Sequence, residues 1–412
     1  MKTSYKFEDL IVKVPNTKIF PISINIKTTN ETSIDNIEEK KLHDKIDIIG
    51  YEKFKAASIL ANIYSLININ NTDLFHLKKV LNIDNLKKCV EKKKILTRAY
   101  YKLWEIIDHF KLLEDTYPDG MISSNVAEGP GGFIQAIIYY RIIHNSKEVY
   151  LKDKIYGISL KVKGHLDFDG NNKIVQKFRE IYEDRYKILN ISFGGDDGDI
   201  TKIEVINKYI SKFSKYKAHI FTGDGGVLSN LSLDKEFLNG QLIICQAIVG
   251  LAVLGVGGHF ILKMYTMTQP FIIQTIQLLS SYFEEFYITK PVTSRIFNTE
   301  KYLVGKGFKG IKDTELNKLF ELVKKLKDIQ NENKYVYSIF DNNINGEVAN
   351  SIKKFNNYHF QIRLNLFSTI EYILENNKTV EGKEKNNKIK RIVEEKSYRW
   401  CRKMKLDFII EE

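Results

Sequence analysis

Cysteine is scarce in this chain: Cys89, Cys245 and Cys401 are the only three in 412 residues, far apart and odd in number. That excludes a disulfide framework and a cysteine-built zinc site, and it suits a reducing compartment. The eight histidines show no metal-ligand spacing either, so no metal is expected. The N-terminus, MKTSYKFEDL, lacks an apolar core of signal-peptide length, which argues against secretion and for a cytoplasmic location. Long uncharged runs are missing, with one exception. Ile243 to Leu262, IICQAIVGLAVLGVGGHFIL, has the length of a membrane span, but Gly255, Gly257 and Gly258 interrupt it and Gln246 and His259 lie inside. A buried helix that ends at the glycines, followed by a buried strand HFILK, explains the run better. No internal repeat is visible.

Apolar residues make up 43% of the chain and aromatics 12%, so a large core is available. The 63 Lys and Arg against 51 Asp and Glu leave a formal charge of +12, which suits a polyanionic partner such as nucleic acid. The chain divides into three parts. Residues 1–95 are rich in Lys, Ile and Asn, with a helix pattern from Tyr51, and form a mostly helical extension. Residues 96–310 alternate short apolar runs (MISSNVA, IYGISL, ILNIS, AHIFTG, HFILKMY, FYITK, YLVGKGF) with helix-like stretches. That alternation predicts an open, mainly parallel α/β sheet with helices on both faces. Residues 311–412 turn helical again and end in the basic, amphipathic IKRIVEEKSYRWCRKMKL.

The most informative stretch is EGPGG, Glu128 to Gly132, between an apolar run and a helix-like one. A glycine-rich turn from strand to helix lets backbone amides approach a ligand at the carboxyl edge of a sheet. The dinucleotide fingerprint G-x-G-x-x-G is not met, the following strand IYGISL runs into Lys161 rather than an acid, and no Gly-Lys-Ser/Thr follows. Those departures weaken NAD and ATP. S-adenosylmethionine is positively charged at its sulfonium, and a carboxylate in the turn favours it. On its own, the turn is equally explained as a tight connection with an incidental Glu. Two further turns of the same kind change the weighing: GGDDGDI at Gly194 to Ile200 and TGDGG at Thr222 to Gly226 each follow a short apolar run. Three successive strand ends with Gly beside Asp or Glu line one crevice.

AEGPGGF, GDDGDI, GDGG, GGHFILK and KPVTSRIFNTEKYLVGKG, in this order, resemble the FtsJ-like family of RNA ribose 2'-O-methyltransferases. The resemblance covers roughly Arg98 to Gly310. It is greatest to the cap-specific mRNA branch and its members in large cytoplasmic DNA viruses, African swine fever virus among them. It implies a Rossmann-like methyltransferase fold with a seven-stranded, mostly parallel sheet, and S-adenosyl-L-methionine as cofactor. It further implies RNA, capped mRNA first, as substrate, with other capping or transcription proteins as candidate partners, no membrane, and the host cytoplasm or virion as location. The alternatives are the same reaction on ribosomal or transfer RNA, or a catalytically idle RNA-binding or scaffold subunit.

The family's Lys-Asp-Lys-Glu tetrad has matching positions in Lys102, Asp224, Lys263 and Glu300. The resemblance makes Lys263 the base, tuned by Lys102, with Asp224 and Glu300 positioning the amines. A free lysine is mostly protonated at neutral pH; a second ammonium and burial lower its pKa, while carboxylates raise it. The resemblance also assigns Glu128, Gly129, Pro130, Gly131, Gly132 and Phe133 to the methionine end of the cofactor, Asp199 to its adenine, and Asp224 to the methyl group. Ser294, Arg295 and Asn298 match a pattern expected to line the RNA groove. One departure stands out: Val227-Leu228 follows GDGG where cellular cap enzymes tend to have Phe-Ser.

Overall fold

The computed structural model describes residues 6–29, 37–62, 64–67, 69, 71–83, 88–91, 95–115, 117–160, 189–192, 197–226, 235–332, 334–406 and 408–411. The N-terminal part holds β1 (Ile11–Val14), β2 (Ile24–Thr29), α1 (Ile37–Ile49), α2 (Tyr51–Ala61), α3 (Asn71–Leu81) and β3 (Lys88–Glu91). The central part begins with α4 (Ala99–Phe110), β4 (Ile122–Val126), α5 (Gly132–His144), α6 (Lys147–Tyr150), β5 (Lys154–Ile158) and β6 (Leu189–Ser192). It continues through α7 (Ile203–Ile210), β7 (Ala218–Gly223), α8 (Lys235–Val253), β8 (Leu254–Met264), α9 (Pro270–Ser281), β9 (Phe283–Thr289) and β10 (Lys301–Phe308). The C-terminal part holds α10 (Asp313–Asn331), β11 (Tyr335–Phe340), α11 (Gly346–Asn376), α12 (Val380–Lys403) and β12 (Phe408–Glu411).

The central sheet runs in the order β6-β5-β4-β7-β8-β10-β9-β1. The pairings from β6 through β8 are parallel, and β10, β9 and β1 are added antiparallel. Seven of these strands come from the region expected to form the sheet. The eighth, β1, comes from the N-terminal extension and pairs Ile11 with Thr289. A four-residue strand carries too little periodicity to be recognised alone, and its partner lies far along the chain. β11 and β2 form a separate two-stranded sheet, as do β12 and β3, so both flanks contribute strands besides helices.

The long apolar run resolves as expected in kind and differs in detail. α8 stops at Val253, before the glycines, which then lie inside β8; the turn at Gly257 takes φ +81°. The helix has the length and hydropathy of a membrane span, but 83% of that stretch is buried in the protein.

Helices cover both faces. On one, α4 and α5 pack with α2, α3 and α12; on the other, α7 to α10 pack against the sheet. α11 spans the two layers: Val348, Ile352 and Phe355 join one core, and Leu366, Phe367 and Ile370 the other. α4 shows how sequence sets this up. Tyr100, Leu103, Trp104, Ile107 and Phe110 are buried, and the helix closes at Lys111 in the left-handed conformation. Trp104 stacks on Tyr100 with ring centroids 5.6 Å apart. Trp400, at the C-terminal end of α12, packs edge-on against Tyr101 at 6.2 Å and is buried in the core.

α4 also buries Glu105, whose Oε2 accepts from the Thr293 amide (3.3 Å) and hydroxyl (3.1 Å). Desolvation pushes this carboxyl from 4.5 up to about 7, against the pull of Thr293. A group whose pKa is raised on folding stabilises the fold below its unfolded value and loses that contribution as pH rises through the folded one. The 4.5-to-7 window corresponds to roughly 3 kcal/mol. Melting scans should therefore show the parent losing stability between pH 5 and 8, and Glu105→Gln should flatten that slope. Parallel curves for the two proteins would contradict the account.

Candidate active site

The chain runs from β4 outward to β5 and β6, then returns to the other side of β4 with β7. The point where strand order reverses opens a crevice beyond the carboxyl ends of β4 and β7, and ligands of open α/β sheets bind there. Glu128 follows β4 and Asp224 follows β7, so the crevice is flanked by two carboxylates. The Asp224 amide donates to Val126 O at 3.3 Å, which ties the two strand ends together.

The first turn is built as a cradle. Gly131 caps α5 at φ +99°, a conformation that disfavours any side chain, and its amide donates to Glu128 O. Gly132 has no room for a side chain: a Cβ would lie 2.2 Å from Thr97 Oγ1 and 3.0 Å from Ala99 Cβ. The Glu128 Oε1 accepts from the Phe133 amide at 2.5 Å, while Oε2 is buried and has no hydrogen-bond partner. Burial, with Asp224 nearby, pushes this carboxyl well above the usual range. Phe133 contributes its amide to the turn; its side chain is fully buried, 6.0 Å from the Tyr302 ring.

The second turn docks on the first. Gly129 donates to Ser159 Oγ at 3.0 Å, and Gly198, at φ +71°, lies so close that a Cβ would meet Ser159 O at 1.9 Å. Asp199 turns one carboxylate oxygen onto the Thr201 amide (3.0 Å) and hydroxyl (2.7 Å). Gly194, Gly195 and Asp196 of this turn lie outside the described residues, as do Val227 and Leu228 beyond the third.

The tetrad assembles as two ion pairs. Lys102 reaches from α4 to Glu300, 2.7 Å from Oε1 and 3.0 Å from Oε2. Lys263 near the end of β8 lies 3.4 Å from Asp224 Oδ1 and donates to the Asp224 carbonyl. Antiparallel register joins the pairs: Tyr302 of β10 is opposite Lys263, so Glu300, two residues earlier, lies at the same sheet edge. The Tyr302 hydroxyl donates to Asp224 Oδ1 at 3.1 Å. Desolvation pulls the Lys263 pKa down but is outweighed by Asp224, Tyr265 and Glu300, and the net shift is upward. The carboxylates therefore prevail over burial in tuning this amine, the reverse of what a base requires. Glu300 is held well below the ordinary carboxylate range: burial opposes this, and Lys102, Lys263 and Lys290 together outweigh it.

Ser294 departs from its expected place in the RNA groove. It is fully buried, and its hydroxyl donates to Glu300 Oε1 at 2.9 Å, so it orients the carboxylate. Arg295 is half-exposed and bonds both oxygens of Asp73 at 3.2 Å, and Asn298 is half-buried.

Two supporting residues take no role from the sequence alone, although Lys290 opens the KPVTSR motif and Gln246 lies in the apolar run. Lys290 is fully buried and donates to Asn298 Oδ1 (2.7 Å), Asn298 O (2.9 Å) and Glu300 O (2.6 Å), which fixes the loop that presents Glu300. Its local signal is FYITK, a lysine ending an apolar strand like the one in HFILK. Gln246, the polar residue inside the apolar helix, accepts from the Gly225 amide at 2.9 Å and anchors the GDGG turn. A Cβ on Gly226 would meet the Tyr265 hydroxyl at 2.0 Å and lie 3.3 Å from Lys263 Nζ, so glycine keeps the space around the amine open.

The profile of the FtsJ-like methyltransferase family matches residues 95–308, just over half of the chain, and the chain belongs to that family. Among curated relatives, a cap-specific mRNA (nucleoside-2'-O-)-methyltransferase 1 from Xenopus laevis is 30% identical over 255 residues, covering 60% of this chain and 28% of the relative. The protein of that name from Dictyostelium discoideum is 29% identical over 231 residues, covering 52% of this chain and 29% of the relative. The chain thus matches less than a third of the length of these relatives. Among solved structures, a ribosomal RNA methyltransferase from Plasmodium falciparum aligns at 22% identity and a TM-score of 0.36, covering 52% of this chain and 99% of that one.

Proposed function

We propose that this chain transfers a methyl group from S-adenosylmethionine to a ribose 2'-hydroxyl of RNA, at the first or second nucleotide of capped mRNA. The observation that carries the reading is the pair of ion pairs, Lys102–Glu300 and Lys263–Asp224, at the carboxyl edge of the sheet beside the Glu128 turn.

The residues fit the cofactor. A buried carboxylate oxygen without a partner, on Glu128, is costly as an anion and favours a cationic ligand at the switch point. Bound there, S-adenosylmethionine supplies an electrophilic methyl group. Lys263 Nζ is placed to take the proton of the 2'-hydroxyl as the methyl group that the bound cofactor would supply reaches that oxygen. Lys263 must be neutral to act. A cation beside Asp224 would offset the largest of the interactions that keep the amine protonated, on the side of burial and against Tyr265 and Glu300. Lys102 and Glu300 hold the sugar, with Ser294 and Lys290 fixing Glu300 from behind. The reading includes cytoplasmic action, a viral affinity drawn from motif order, and other capping or transcription proteins as partners.

Mass mapping of methylated short RNAs tests this. A capped oligonucleotide should gain one methyl at its first or second ribose, and the same RNA bearing a 5'-triphosphate should gain little. Equal rates on both, or preference for structured ribosomal RNA, would move the assignment to another RNA.

A further inference from the structure

A cavity beside the tetrad reaches from Arg295 and Asn298 into the N-terminal extension, whose residues the catalytic reading leaves without a role. It measures about 340 Å3, within the roughly 300–1,000 Å3 of small-ligand sites, and lies between α1, α2, the loop Arg295–Thr299 and α11. One end is aromatic. Phe54 meets Phe297 edge-on at 4.8 Å, Arg363 covers the Phe297 ring at 5.1 Å, and Tyr51 stands at the mouth, 68% exposed. The other end is cationic. Lys55 (3.6 Å), Arg98 (3.9 Å) and Arg295 (3.2 Å) converge on the buried carboxylate of Asp73. Three cations share that one anion, and burial, with Arg295 nearby, lowers the pKa of Arg98. Around the whole cavity four cationic side chains face the two carboxylates of Asp47 and Asp73, so the space favours a planar, anionic guest.

Position narrows the guest. Asn298 and Thr299 line the cavity and lead directly into Glu300, and Lys290 clamps Asn298 and Glu300 to one another. Whatever fills the cavity is therefore a neighbour of the group held at the tetrad.

We propose that this cavity binds a nucleoside 5'-phosphate unit adjacent to the ribose being methylated. Its phosphate sits against Lys55, Arg98 and Arg295, and its base packs by Tyr51 and Phe54. The proposal rests on RNA being the substrate. It also gives the N-terminal extension a role in binding, since α2 supplies both the stacking ring and one of the cations. The unit comes either from the cap guanosine or from the transcript chain, and both present the same chemistry.

Fluorescence anisotropy with a labelled, uncapped five-nucleotide RNA and, separately, a labelled cap dinucleotide tests the proposal without depending on methyl transfer. Lys55→Ala should weaken binding about tenfold and reduce the slope of log affinity against log salt by about one, the mark of one lost phosphate contact. Tyr51→Ala should weaken binding about tenfold with the slope unchanged, because stacking is not a counterion effect. Lys55→Arg should restore affinity. Tyr51 is exposed, so that variant keeps the test intact if the Lys55 variant folds poorly. Loss confined to the cap dinucleotide assigns the cavity to the cap; loss on the uncapped RNA assigns it to the transcript. Parental affinity and salt slope in both variants, for both ligands, overturn the proposal. Should the parent methylate no RNA while these losses appear, the catalytic reading fails and the pocket stands.

Discussion

Lys263→Ala should eliminate methyl transfer, with kcat reduced at least ~10²–10⁴-fold, the range for removal of a general acid or base. Cofactor affinity and melting temperature should stay near the parental values. The structure gives the reason for that split. The Lys263 and Asp224 side chains are 12% and 17% exposed, so removing the amine leaves Asp224 partly hydrated and with the Tyr302 hydroxyl as donor at 3.1 Å. The fold therefore loses one polar contact of modest net value, about 1 kcal/mol, while the proposed mechanism loses its proton acceptor. A second readout separates a base from a structural lysine. Because Asp224, Tyr265 and Glu300 hold the amine protonated in the free enzyme, parental kcat/KM should rise with pH along an acid limb. Asp224→Asn should move that limb to lower pH even as it slows the reaction. Turnover of Lys263→Ala within tenfold of the parent, or a limb unmoved by Asp224→Asn, would remove Lys263 from the role. Lys102→Ala and Glu300→Ala should also fall steeply. Because the two share one ion pair at 2.7 Å, the double variant should be little worse than either single one.

Motif order makes the tetrad legible. Three of its members lie at or beside strand ends and the fourth, Lys102, lies within α4, and the apolar pattern defines each of these elements. Lys102 is on the aromatic helix TRAYYKLWEI, Lys263 near the end of the strand HFILKMY, and Glu300 just before YLVGKGF. Convergence at one sheet edge then follows from topology and from the register that sets Tyr302 against Lys263. What the sequence conceals are contacts between segments that share no local signature. IVKV at Ile11–Val14 gives no sign that it will extend a sheet edge nearly 280 residues away at Thr289. Ser294 belongs to a motif that reads as substrate contact; only burial reveals that its hydroxyl faces Glu300. The balance of charge on Lys263 is equally hidden, since burial and carboxylates act in opposite directions and only distances decide between them. The cavity between Tyr51, Phe54 and Phe297 joins two parts of the chain that read as an extension and a catalytic domain.

The glycine turn yields the other large effect. Gly131→Val should lower S-adenosylmethionine affinity roughly a hundredfold, ~3 kcal/mol, the upper end for one hydrogen bond to a charged group. The cause is the backbone. Gly131 holds φ +99° at the start of α5, where a β-branched residue is strained, and relaxing that angle displaces the Glu128 to Phe133 turn. The Phe133 amide then leaves Glu128 Oε1, and the carboxylate that should face the sulfonium loses its orientation. The fold should survive, because a left-handed non-glycine residue costs ~1–2 kcal/mol against a total stability of ~5–15 kcal/mol. Gly132 would make a poorer probe, since a Cβ there collides with Thr97 and Ala99 and acts on helix packing instead. Gly131→Asn, which tolerates the left-handed region, should recover part of the affinity. Calorimetric titration with S-adenosylmethionine and a thermal melt on each variant decide the matter. Parental affinity in Gly131→Val would reduce EGPGG to a connection between a strand and a helix.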